Sequence, residues 1–232
     1  MHALSEIFRY KVVNDHDYRK WLYGRGNKLI EYTRDGRFQT IVFVDRAARP
    51  IYWLFEQLWQ KMMPEVPLLS HIMLRVGHEK RLRDVYMHEK GLAIQPDGSG
   101  RFVGVYDTPQ NIRLFKKRIR QDAETQRRFA EEVREHYSDD LLRQKRVLIV
   151  DDMEFEGVTR LFLETILARV FSPKSIDYFE FGDMQFLPTG LAGARVAHGF
   201  IAKESANPKS RANAATLKKD LSMIVEEFFP RV

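Results

Sequence analysis

The chain has 232 residues, 44% of them hydrophobic and 12% aromatic, which is enough for a proper core and too much for a disordered chain. It carries 38 basic and 32 acidic residues, a net charge of +6 that suits an anionic ligand without selecting one, and nucleic acid is not the expected partner. The absence of cysteine excludes disulfides, thiol catalysis and Cys-ligated metals; no apolar run reaches the ~18 residues of a membrane span, so no membrane association and a cytoplasmic address are expected.

In chain order, residues 15–33 read as a helix anchored by Tyr18, Leu22, Leu29 and Ile30, with Gly24 and Gly26 weakening its middle. This N-terminal helical segment, 1–38, should cover a sheet from one side. Residues 39–44 form an apolar run that reads as a strand, followed by a loop over Asp45 to Pro50. Ile51, Leu54, Phe55, Leu58, Trp59 and Met62 then recur three and four apart, the spacing of a helix with a wide buried face, and Pro50 sits at its start, where a missing N–H is harmless. Pro64 to Pro67 mark a linker, and 71–76 read as a second strand, completing a βαβ unit whose strands should be parallel and whose crossover should be right-handed.

From Gly91 to Asp107 the chain turns polar around Pro96, Gly98 and Gly100, as in a hairpin or a loop over a site. The stretch 108–143 reads as one long, highly charged helical insertion, with Ile112, Phe115 and Ile119 on one face and Phe129, Val133 and Tyr137 on another. Its plainest role is a solvated helix packed by one apolar stripe; a homo-oligomer contact or a protein partner through 108–143 is the alternative. Val147 to Val150 are an apolar run ending in Asp151 and Asp152, the pattern of a buried parallel strand that delivers two acids to the sheet edge. A helix through Leu161, Phe162, Ile166 and Val170 follows, then a strand over 175–181 and an amphipathic C-terminal helix over about 213–229 with Leu217, Leu221, Ile224, Val225 and Phe228. The order predicts a single α/β domain over 1–232, doubly wound, with a mainly parallel sheet, flanking helices and a long helical insertion.

Ligands of open α/β sheets sit at the carboxyl ends of strands, so chemistry is expected at Asp151 and Asp152. Paired acids in that place also complement the positive N-terminus of the next helix, and the ligand reading is favoured over that one by Gly157 and Thr159 in the turn that follows. An apolar strand, two acids, three variable residues, then Gly157 and Thr159 before a helix resembles the phosphoribosyl pyrophosphate motif of the type I phosphoribosyltransferases, and the order of elements over 39–182 is similar to that fold. The resemblance implies that Asp151 and Asp152 hold the ribose hydroxyls and that Phe155, Glu156, Gly157, Val158 and Thr159 hold the 5-phosphate through their backbone. It further implies that Asp45, Arg46, Ala47, Ala48 and Arg49 form the pyrophosphate loop, and that Mg²⁺ arrives on the diphosphate with no direct protein ligand. The implied reaction is displacement of pyrophosphate by a nitrogenous base, with the acceptor read by residues 183–203.

Two positions depart from the family pattern. Glu156 replaces a Thr beside the phosphate, and Phe155 stands where purine-salvage members carry a catalytic Asp, so no catalytic residue is assigned. The alternative is a non-catalytic relative that senses a nucleotide or carries a partner. A receiver-like signalling domain, which also ends a strand in two acids, is the lesser alternative, because too little chain follows and 190–197 contains no Asp. The seven histidines show no metal-binding spacing, His198 near Lys203 reads as a surface residue, and neither a nucleophile elbow nor a phosphate loop ending in Gly-Lys-Ser or Gly-Lys-Thr occurs.

Overall fold

The computed structural model describes residues 16–45, 48–75, 95–96, 102–103, 113, 116–117, 119–152, 158–182 and 210–230. Its elements are α1 (His16–Asp35), β1 (Thr40–Asp45), α2 (Arg49–Met62), β2 (Ser70–Arg75), β3 (Gln95–Pro96), β4 (Phe102–Val103), α3 (Ala123–Arg134), a 3-10 turn (Asp139–Leu141), β5 (Arg146–Asp151), α4 (Val158–Phe171), β6 (Ser175–Glu180) and α5 (Ser210–Phe228). Four strands pair in the order β2-β1-β5-β6, all parallel, and β3 and β4 pair antiparallel within the segment read as a hairpin or a loop over a site.

The alternation of each strand sends its side chains to two cores. Ile41 and Phe43 of β1, with Leu148 and Val150 of β5, join one core with α1, α2 and α5; Val42, Val44, Val147 and Ile149 join the other with α3 and α4. Helices therefore cover both faces of the sheet, an arrangement compatible with a doubly wound fold. The crossover β1-α2-β2 steps outward in one direction and β5-α4-β6 in the other, and two crossovers of the same hand running in opposite directions put their helices on opposite faces.

The βαβ unit of the first half stands where the periodicity places it, with small shifts. Asp45 is the last residue of β1 rather than the first of a loop, and Arg49 already belongs to α2, with Ala48 as its N-cap. Ile51, Leu54, Phe55 and Leu58 are buried, each contributing roughly 2 kcal/mol of hydrophobic stabilisation. Gly26 is a point of contact rather than of weakness, since a Cβ there would run into Leu58 Cδ1, whereas Gly24 faces open space. At the ends of α1 and α5, Arg19 grips Glu227 with Nε to Oε2 at 2.7 Å and Nη2 to Oε1 at 3.0 Å.

The continuous helix expected over 108–143 is corrected. Asp122 breaks it, its carboxylate accepting from the Thr125 N–H at 3.0 Å as the N-cap of α3, and α3 ends at Arg134 before the 3-10 turn. The competition is local: an Asp side chain that bonds a backbone N–H three residues on favours starting a helix over continuing one. Ile119, Phe129 and Val133 are buried, and Tyr137 packs against the same core. Ile112 and Phe115 lie outside the described residues.

Candidate functional site

The sheet opens where the two halves of the chain diverge. β1 pairs with β5 only as far as Phe43 opposite Val150, whereas each continues further with its outer neighbour, Asp45 opposite Arg75 and Asp151 opposite Glu180. The two central strands therefore part at their carboxyl ends, and a crevice at such a switch point is where open α/β sheets take ligands. Asp45 ends one wall and Asp151 the other, with Asp152 one residue beyond.

The two acids at the end of β5 are held differently. Asp151 is only 6% exposed; its Oδ2 accepts from the Tyr178 hydroxyl at 3.0 Å and its Oδ1 from the Asp152 N–H at 2.9 Å. Burial pushes the Asp151 carboxyl well above the usual carboxylate range, and the neighbouring Asp152 adds to the rise. Asp152 is half-buried, and its backbone carbonyl accepts from the Gly182 N–H at 2.6 Å, which fixes it at the mouth of the crevice. Of the pair, Asp152 is the more accessible, and Asp151 lies more deeply, accepting from the Asp152 N–H.

The helix after the motif begins earlier than the turn pattern suggests. The described part of α4 begins at Val158, so Val158 and Thr159 already belong to the helix that follows the acids, near the end where its dipole favours an anion. Thr159 is half-buried there. In the opposite wall, Ala48 is fully buried and its N–H donates to the Val44 carbonyl at 3.1 Å, so this amide of the expected pyrophosphate loop is already engaged; Arg49, half-buried, opens α2. Phe155, Glu156, Gly157, Arg46, Ala47 and the side chains of Asp45 and Val158 lie outside the described residues, as do 183–203, where the acceptor was expected.

Tyr178 is the site residue that motif reasoning misses. Strand alternation carries the signal for it, since residues two apart in β6 share a face and Tyr178 lies two positions before Glu180, the partner of Asp151. Behind it, the Arg160 guanidinium lies 5.2 Å from the Tyr178 ring centroid while its Nε bonds Glu164 at 2.7 Å. Across the end of β6, Arg25 of α1 donates to the carbonyls of Phe181, at 2.7 Å, and of Glu180, closing the rim of the sheet.

No described helix is long and apolar enough to cross a membrane. No protein-family model matches the chain, and no curated protein or solved structure matches it.

Proposed function

We propose that the crevice between β1 and β5 binds phosphoribosyl pyrophosphate or a related ribose phosphate together with Mg²⁺. The observation that supports this reading most is the parting of β1 and β5 next to a half-buried Asp152, at the point where the helix N-terminus of α4 also opens. A carboxylate accepts hydrogen bonds from vicinal hydroxyls, and the positive end of the dipole of α4 suits a phosphate dianion. Mg²⁺ would come with the diphosphate of the ligand, with no direct protein ligand, which leaves Asp152 to the ribose. When bound, the ion would neutralise diphosphate charge; the chain itself orients the ribose through Asp152 and holds that acid in place through Asp151 and Gly182.

Transfer of the phosphoribosyl group to a nitrogenous base is the enzymatic form of this proposal. A binding module that senses a nucleotide is the second reading, favoured by Phe155 and Glu156 at the positions where the family places a catalytic acid and a phosphate-binding Thr. Titration calorimetry with phosphoribosyl pyrophosphate and Mg²⁺ tests the common core of both: wild type should bind, and Asp152→Asn should weaken binding at least tenfold. No heat with millimolar ligand would overturn the proposal. Binding without pyrophosphate release across a panel of bases would select the sensor.

A further inference from the structure

The overall charge does not select nucleic acid, but one local arrangement does. Arg113, Lys116, Lys117 and Arg120 follow the spacing i, i+3, i+4, i+7, and all four positions are helical, which aligns them in one stripe. Arg113, Lys117 and Arg120 are exposed and Lys116 is half-buried. No Asp or Glu occurs from 108 to 121, and none of the four cations makes an ion pair with a described residue. The arginines of α3 behave oppositely: Arg127 bonds Glu124 and Glu131 at 2.9 and 2.7 Å, and Arg128 bonds Glu124 at 2.6 Å. Among the described residues, the cations of α3 are thus neutralised by acids of the same helix, while those of the preceding stripe are not.

The stripe also has a definite place. The last turn of α3 lies toward the amino ends of the strands, because Arg134 stacks on Phe171 at the end of α4 and the Leu141 carbonyl accepts from the Thr40 hydroxyl at the start of β1. The first turn of α3 therefore points to the carboxyl ends, and Gln126 in it donates to the Ile119 carbonyl at 2.7 Å, anchoring the cationic stretch on that side. Ile119 is fully buried, so the described apolar residue of the stretch faces the core and offers nothing to a lipid interior.

We infer that the stripe Arg113, Lys116, Lys117 and Arg120 binds the phosphodiester backbone of a nucleic acid, without reading its bases. A separation of seven residues at helical rise is about 10 Å, which matches about three phosphates of one strand at 3.4 Å of rise each. Arginine and lysine side chains contact phosphates in this way, and such contacts position a protein without specifying sequence. The inference does not depend on the ligand of the crevice.

Fluorescence anisotropy over a series of salt concentrations, with a mixed-sequence DNA duplex and a single-stranded RNA of equal length, tests it. Wild type should bind at least one of them at low salt. The quadruple variant R113Q/K116Q/K117Q/R120Q should weaken binding and flatten the plot of log K against log salt by about 3. A variant with the same change of charge on the opposite face, K20Q/K28Q/K218Q/K219Q, should flatten it by less than about 1. Equal flattening by the two variants, absence of binding to both probes, or binding to phosphatidylserine vesicles in place of both would overturn the inference. Photocrosslinking of the wild-type complex needs no variant: crosslinked peptides should contain 113–121, and crosslinks confined to α1 and α5 would refute the stripe.

Discussion

The two acids at the carboxyl end of β5 differ in place: Asp151 closes the strand inside the fold, and Asp152, one residue beyond the strand, is half-buried. Asp151 is the buried one, its carboxyl raised first by burial and then by the charge of Asp152. An acid whose folded-state pKa lies above its unfolded value keeps its proton longer in the folded state, so stability falls as pH rises from the unfolded value, about 3.9, to the folded one, and is level on either side. Asp151→Asn removes this dependence. Urea unfolding at pH 4, 5.5 and 7 should show wild type losing ground to the variant on top of a constant offset, by roughly 1.4 kcal/mol for each pH unit that separates the two pKa values. A constant difference across the three would refute it. The pair of acids is plain in the sequence; their division of labour is not, because it rests on Tyr178, 27 residues away across the sheet.

At the level of elements, two glycines in α1 look alike in sequence and differ in what surrounds them. Gly24 faces open space, so Gly24→Ala should stabilise by about 0.5–1 kcal/mol through helix propensity alone. Gly26 lies where α1 meets α2, against the buried side chains of Leu58 and Leu54, so Gly26→Ala should destabilise by about 1–2 kcal/mol through overpacking despite the same gain in propensity. Thermal unfolding of both variants checks the opposite signs. Helices and strands were legible because apolar residues recur at 3.6 or run unbroken; Tyr18, Leu22, Leu217 and Val225 are buried as that spacing requires. The break at Asp122 was hidden by charged residues that keep the helical period on both sides of it. Three returns toward the strands were hidden as well, because Arg37, Gln144 and Ser172 adopt φ of 50°, 56° and 49° without the glycine that normally advertises such a turn.

At the scale of the molecule, the βαβ order could be read from alternating patterns, and the parallel sheet follows from it. The neighbour relation of β1 and β5 could not, since it joins strands about a hundred positions apart and depends on which faces the helices leave open. That relation decides where the crevice lies. It also means that the chain is two βαβ halves meeting along one ladder, Thr40 to Phe43 beside Val147 to Val150, with α5 of the second half clasping α1 and α2 of the first through Arg19–Glu227 and Lys61–Glu226. A chain severed between β2 and α3 should therefore reassemble from two separately expressed pieces as a one-to-one complex, detectable by size-exclusion chromatography. Because the ligand would bridge both pieces, phosphoribosyl pyrophosphate with Mg²⁺ should tighten their association in proportion to its concentration. The seam that forms the crevice is thus also where the molecule divides, and a ligand bound there acts as its staple.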